Sequence, residues 1–123
     1  MRDAVVSIDE RFNLRGKVAV VIGGAGNLCS TLAQGLSESG MEVVMLDMAE
    51  RPQSDGYLRC DVTSKKDLIR CRDEILKRHG RVDVLLNGAG SNAPTPFFDI
   101  SAEEIQRIIG DNLVGTLLGC QVF

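Results

Sequence analysis

The chain has 123 residues, 44% apolar and 25% charged, with 14 Lys and Arg against 17 Asp and Glu and a net charge of −3. That length suits one small domain, and the composition is that of a globular protein rather than a disordered tail. Mild acidity without a Lys/Arg cluster leaves no electrostatic footprint for nucleic acid. No apolar run approaches the ~20 residues of a membrane span.

The first 14 residues, MRDAVVSIDERFNL, read as a charged N-terminal arm and not as a signal peptide. Lys17 to Ile22 (KVAVVI) is expected to be a buried strand, because β-branched residues follow one another without polar alternation. Glycines follow at once, and then a helix with Leu28, Leu32 and Leu36 as its apolar spacing, ending at Gly40. Glu42–Leu46 is the second strand, and Tyr57–Cys60 a short third one. The nine residues between Asp47 and Tyr57 include Pro52 and Gly56, so a loop or single turn is expected there. Ser64 opens a helix with Asp67 as a capping-box-like partner, with Leu68, Ile69, Ile75 and Leu76 on its apolar side. Val82–Leu86 is the fourth strand. Beyond a loop with Pro94 and Pro96, Ser101 and Glu104 start a last helix whose stripe Ile105, Ile109, Leu113, Leu117 is expected to face the core. Strand and helix alternate, so the fold class is α/β with a parallel sheet built from βαβ crossovers.

The segment Gly23-Gly24-Ala25-Gly26-Asn27-Leu28-Cys29 lies where a strand stops and a helix starts. A dinucleotide pyrophosphate needs a tight turn, an unobstructed backbone and free N–H groups at a helix N-terminus. Gly23, Gly24 and Gly26 suit that need, although an unliganded turn would use the same residues. Asp47 lies 24 residues after Gly23 at the end of an apolar strand, where a carboxylate can bond a ribose 2′-hydroxyl. It would repel a 2′-phosphate, which favours NAD over NADP; Arg51 nearby works the other way. Asp61-Val62 after the third strand is placed to meet an adenine, and Asn87-Gly88-Ala89-Gly90 after the fourth to leave room for a ribose.

These residues together resemble the N-terminal part of a short-chain dehydrogenase/reductase. The resemblance runs through Phe12–Val21, the glycine motif at Gly23–Cys29, Asp61-Val62, the Asn87-Gly88-Ala89-Gly90 motif with its strand, and Asn112-Leu113-Val114-Gly115. Asn27-Leu28-Cys29 and the final Gln121-Val122-Phe123 also look like a subgroup acting on sugar acids, of mannonate or fructuronate type. The resemblance implies a Rossmann-type doubly wound sheet, of which the chain holds the first four strands in the order 3-2-1-4. It implies hydride transfer between NAD and a small-molecule alcohol or carbonyl, and homo-oligomerisation at full length. Cofactor contacts would come from Gly23, Gly24, Gly26, Asn27, Leu28, Asp47, Asp61, Val62, Asn87, Ala89 and Gly90. Asn112 would support a proton relay.

The chain departs from the pattern at Ile22, where the family has Thr, and at Asn27 and Cys29, where it has glycines. The Tyr-x-x-x-Lys pair that resemblance calls for does not occur, since Tyr57 is the one tyrosine. Residues 1–123 are therefore expected to be a truncated cofactor-binding half, inactive alone; the competing reading is a non-catalytic NAD sensor. Cys29, Cys60, Cys71 and Cys120 show no C-x-x-C spacing, and a reducing cytoplasm is the simple expectation.

Overall fold

The computed structural model describes residues 7–52, 54 and 56–123; the first six residues of the expected N-terminal arm lie outside them. From Ser7 the arm carries one short helix, α1 (Ile8–Arg11), closed by a reciprocal capping box between Ser7 and Glu10. Then follow β1 (Val18–Ile22), α2 (Asn27–Glu38), β2 (Glu42–Asp47), β3 (Tyr57–Arg59), α3 (Lys65–His79), β4 (Val84–Asn87), α4 (Ala102–Ile109) and α5 (Gly115–Val122). A five-residue π turn, Gly110–Val114, joins α4 to α5.

All strand pairs are parallel, and the order is β3-β2-β1-β4, as the sequence implied. β1 is buried along its whole length. Its side chains alternate between two cores, as a strand covered on both faces requires. Val18, Val20 and Ile22 pack with Val44, Leu46, Leu58, and with Leu68, Cys71 and Ile75 of α3. Val21 packs on the opposite face with Cys29 and Ala33 of α2.

Several expectations are corrected, among them the end of β3, which lies at Arg59 and not Cys60. β4 begins at Val84, not Val82, because the Asp83 carboxylate accepts the Val18 N–H at 2.8 Å and takes the place of a ladder bond. In α2 the buried positions are Cys29 and Ala33, while Leu28 is 73% exposed and Leu32 also faces out. Small side chains are what fit closest between the helix and the sheet, and of the three expected leucines Leu36 packs against this core.

On α3, Leu76 is exposed and Cys71 takes its expected place in the core. The stripe Ile105, Ile109, Leu113, Leu117 is not core: each of these residues is about half exposed. The sheet side of α5 is formed by Gly115, Gly119 and Val122. A Cβ on Gly115 would lie 2.7 Å from Val62 Cγ2, and one on Gly119 3.2 Å from Ile22 Cδ1, so glycine sets how closely the helix approaches.

Neither capping pair on the later helices is reciprocal. Ser64 and Ser101 accept the N–H of Asp67 and Glu104, but Asp67 turns its carboxylate to the Asp61 N–H and Glu104 to the Thr95 hydroxyl. Among the described residues, no helix is long and apolar enough to cross a membrane.

Candidate nucleotide cleft

A cleft of about 260 Å³ opens at the C-terminal ends of the strands, where β1 and β4 part to opposite crossovers. Gly23, Gly26, Asp47, Met48, Cys60, Asp61, Val62, Gly88, Ala89, Gly90 and Asp111 line it. Its volume lies just under the ~300–1,000 Å³ of sites that enclose a whole small ligand, which suits one half of a dinucleotide.

Gly23 is the hinge of the turn. Its φ of +82° belongs to the left-handed region, and a Cβ there would lie 2.7 Å from the Ala89 nitrogen. Both constraints exclude any other residue. The Gly23 N–H donates to Leu46 O at 2.7 Å, binding the turn to β2. Gly24 has ordinary backbone geometry and is small for another reason: a Cβ would lie 2.6 Å from Met45 Cβ.

Gly26 caps α2 without a side-chain hydrogen bond. The first helical bond runs from Ser30 N–H to Gly26 O, which leaves the N–H groups of Asn27, Leu28 and Cys29 without intrahelical acceptors. That is the arrangement which receives an anionic group. The missing third glycine has a structural replacement. Cys29 is buried, and its sulfur sits over Gly88, where a Cβ would be only 2.1 Å away. The close contact between α2 and the sheet is kept by moving the glycine to β4's exit.

Asp47 ends β2. One carboxylate oxygen accepts Ala25 N–H at 3.0 Å and the other Ala49 N–H at 3.0 Å. Arg51 donates to the carbonyl of the same Ala25 at 3.4 Å and lies 5.9 Å over the Tyr57 ring. Asp47 and Arg51 therefore both hold the glycine turn. Asp61 lines the cleft while its Oδ1 accepts both the N–H and the hydroxyl of Thr63. Cys60 meets Cys71 beneath this wall; that hydrogen bond and then burial push the Cys60 thiol up, and the same bond pulls Cys71 down.

Asn112 sits in the π turn. Its Nδ2 donates to Ser91 O at 2.7 Å and to Ile108 O at 2.8 Å, so both amide hydrogens are used. Its Oδ1 lies 2.5 Å from where a Cβ on Gly90 would be. The π turn carries Gly115 N–H back to Gly110 O, and the Asn112 amide caps the Ile108 carbonyl at that irregularity. The Asn112 backbone carbonyl accepts the Thr116 hydroxyl.

Of the sequence-predicted residues, the cleft brings together Gly23, Gly26, Asp47, Asp61, Val62, Gly88, Ala89 and Gly90. Asn27 and Leu28 stand beside it at the start of α2, and Gly24 packs on Met45. Asn87 points away from it, donating to Cys120 Sγ at 3.3 Å, while its Oδ1 is buried without a partner among the described residues. Sequence reading missed Met48, Cys60 and Asp111. The first two adjoin Asp47 and Asp61 and could have been inferred from position; Asp111 depends on the π turn, which has no sequence signature.

Residues 17–123 match the family model described as short chain dehydrogenase. The chain is 35% identical over 138 residues to an uncharacterized oxidoreductase, UxuB, of Bacillus subtilis strain 168, covering 90% of this chain and 50% of that protein. It is 34% identical over 126 residues to momilactone A synthase of Oryza sativa subsp. japonica, covering 93% and 46%. An NAD⁺-bound xylitol dehydrogenase structure superposes with a TM-score of 0.81 at 27% identity, covering 89% of this chain and 47% of that one. The chain thus spans about half the length of these relatives. A family match over all but the first 16 residues, carried on a glycine turn, a strand-end carboxylate and a parallel sheet of matching order, makes this chain a member of the short-chain dehydrogenase family.

Proposed function

We propose that the chain forms the NAD-binding half of an oxidoreductase acting on a small-molecule alcohol or carbonyl. The link between Asp47 and the glycine turn through Ala25 carries this reading, because it puts a carboxylate beside the turn that would hold the pyrophosphate. The residues fit the cofactor. The helix start of α2 would receive the pyrophosphate, Asp47 the adenosine ribose, and Asp61 with Val62 the adenine. Ala89 and Gly90 would leave room for the second ribose. When bound, the nicotinamide supplies the site of hydride transfer. Asp47 favours NAD, and the likeness to an NAD⁺-bound enzyme supports that preference.

Tyr57 does not serve as the general acid/base. It is buried, and its hydroxyl donates to Ala49 O at 2.5 Å and contacts Asp47 O at 3.2 Å. Burial, and then the Asp47 carboxylate, hold its pKa above the ordinary ~10, whereas a catalytic phenol must be brought down. These 123 residues by themselves accordingly bind cofactor without turnover. Asn112 acts in a relay through its backbone carbonyl and Thr116, since both hydrogens of its side-chain amide are committed to Ser91 and Ile108. Sugar acids and related polyols are the first substrates to try, a class the xylitol dehydrogenase likeness supports. We further infer a cytoplasmic homo-oligomer.

The test is the native full-length protein with NAD and a panel of polyols, sugar acids and simple alcohols, read as NADH absorbance. Turnover with a member of the panel supports the reading. NAD binding without turnover on any of them turns it into a sensor module, and absence of NAD binding refutes it.

A further inference from the structure

The cleft wall Gly88-Ala89-Gly90 is nearly free of side chains, so its position depends on what holds the chain immediately beyond it. Ser91 is that next residue, and it is held by three residues of the α4–π segment. Its hydroxyl donates to Asp111 Oδ2 at 2.6 Å, the short distance of a charge-assisted bond. The same hydroxyl accepts from Arg107 Nη1 at 2.9 Å, and Arg107 also pairs with Asp111 at 3.6 Å and donates to Asn92 O at 3.3 Å. The Ser91 carbonyl accepts from Asn112. Adjacent residues on a regular helix point about 100° apart, yet Asp111 and Asn112 both reach Ser91, one at its hydroxyl and the other at its carbonyl. They do so within the π turn. Asp111 itself lines the cleft.

We propose that Ser91, Arg107 and Asp111 form a positioning clasp that sets the Gly90 wall of the cleft, and so the seat of the nicotinamide half of the cofactor. This rests on the dinucleotide reading above. A second tether of the same loop, the Thr95 hydroxyl to Glu104 Oε1 at 3.1 Å, lies away from the cleft and serves as the internal control.

The experiment titrates NADH, followed by its own fluorescence, into the native full-length protein and its variants, with urea midpoints taken in parallel. Ser91→Ala and Asp111→Ala are each expected to weaken NADH about tenfold, the scale of one hydrogen bond to a charged group. The double variant should be no weaker than either single one, because both break one unit. The emission of bound NADH should shift in both. Ser91→Thr, which keeps the hydroxyl, should restore binding, and Thr95→Val should leave it unchanged. If Asp111→Ala does not fold, Asp111→Asn replaces it: it keeps an acceptor for Ser91 but loses the charge for Arg107, and an intermediate loss is expected. Wild-type affinity in Ser91→Ala, or an equal loss in Thr95→Val, overturns the clasp while the nucleotide site stands. Failure of the unmodified protein to bind NADH overturns both.

Discussion

Asp47 Oδ2 accepts the Ala25 N–H at 3.0 Å, joining the end of β2 to the turn that follows β1. The bond spans 22 residues of sequence and makes the candidate ribose carboxylate part of the glycine turn itself. A ligand that reaches Asp47 meets a group already oriented by two backbone N–H donors, which lowers the ordering cost of binding.

Gly23→Ala tests the turn. The added methyl group meets the β4 exit at 2.7 Å, and the residue must stay at positive φ. Left-handed strain and overpacking together predict a loss of roughly 2–5 kcal/mol. Urea denaturation should show a lower midpoint. An unchanged midpoint would mean that β1 and β4 are further apart than described.

Cysteine reactivity tests the packing. Cys29, Cys60 and Cys71 are buried and Cys120 is exposed. A thiol-alkylating reagent, read residue by residue through mass spectrometry, should modify Cys120 quickly in the native protein and Cys29, Cys60 and Cys71 only in denaturant. Fast modification of any of these three would place a core thiol at the surface.

The α3 start has a pH signature. Burial disfavours the charged form of Asp67, but the Asp61 N–H and Arg70 outweigh it and hold the carboxyl below its usual range. A depressed carboxylate stabilises the fold above its unfolded pKa, about 3.9, and that contribution is lost as pH falls through the lower folded value. Asp67→Asn should therefore unfold earlier than the parent protein at pH 7, with the gap closing below about pH 4. A gap independent of pH would assign the effect to packing.

The parallel sheet was legible because β1 is an unbroken apolar run and the glycine and Asp landmarks stand at strand ends, while its order was legible only through the family resemblance. The helix faces were not. In α2 Leu28 and Leu32 point outward and only Leu36 of the expected leucines packs on the core, because the closest approach to the sheet is taken by Cys29 and Ala33. In the last helix, a π turn breaks the phase, and glycines take the packed side from Ile105, Ile109, Leu113 and Leu117. Apolar periodicity records which residues are greasy, and close approach records which are small; here the two disagree. The cleft was legible wherever it is backbone: Gly23, Gly26, Ala89 and Gly90 line it. Asp111 was not, since its approach to Ser91 depends on the π turn.

The central claim is that the cleft binds a nicotinamide dinucleotide with its adenosine ribose at Asp47. Isothermal titration of NAD and NADP into the native full-length protein and into Asp47→Arg measures it directly. The account predicts saturable NAD binding, weaker NADP binding, and a reversal of that order in Asp47→Arg. NAD affinity that is the same in both proteins would contradict it.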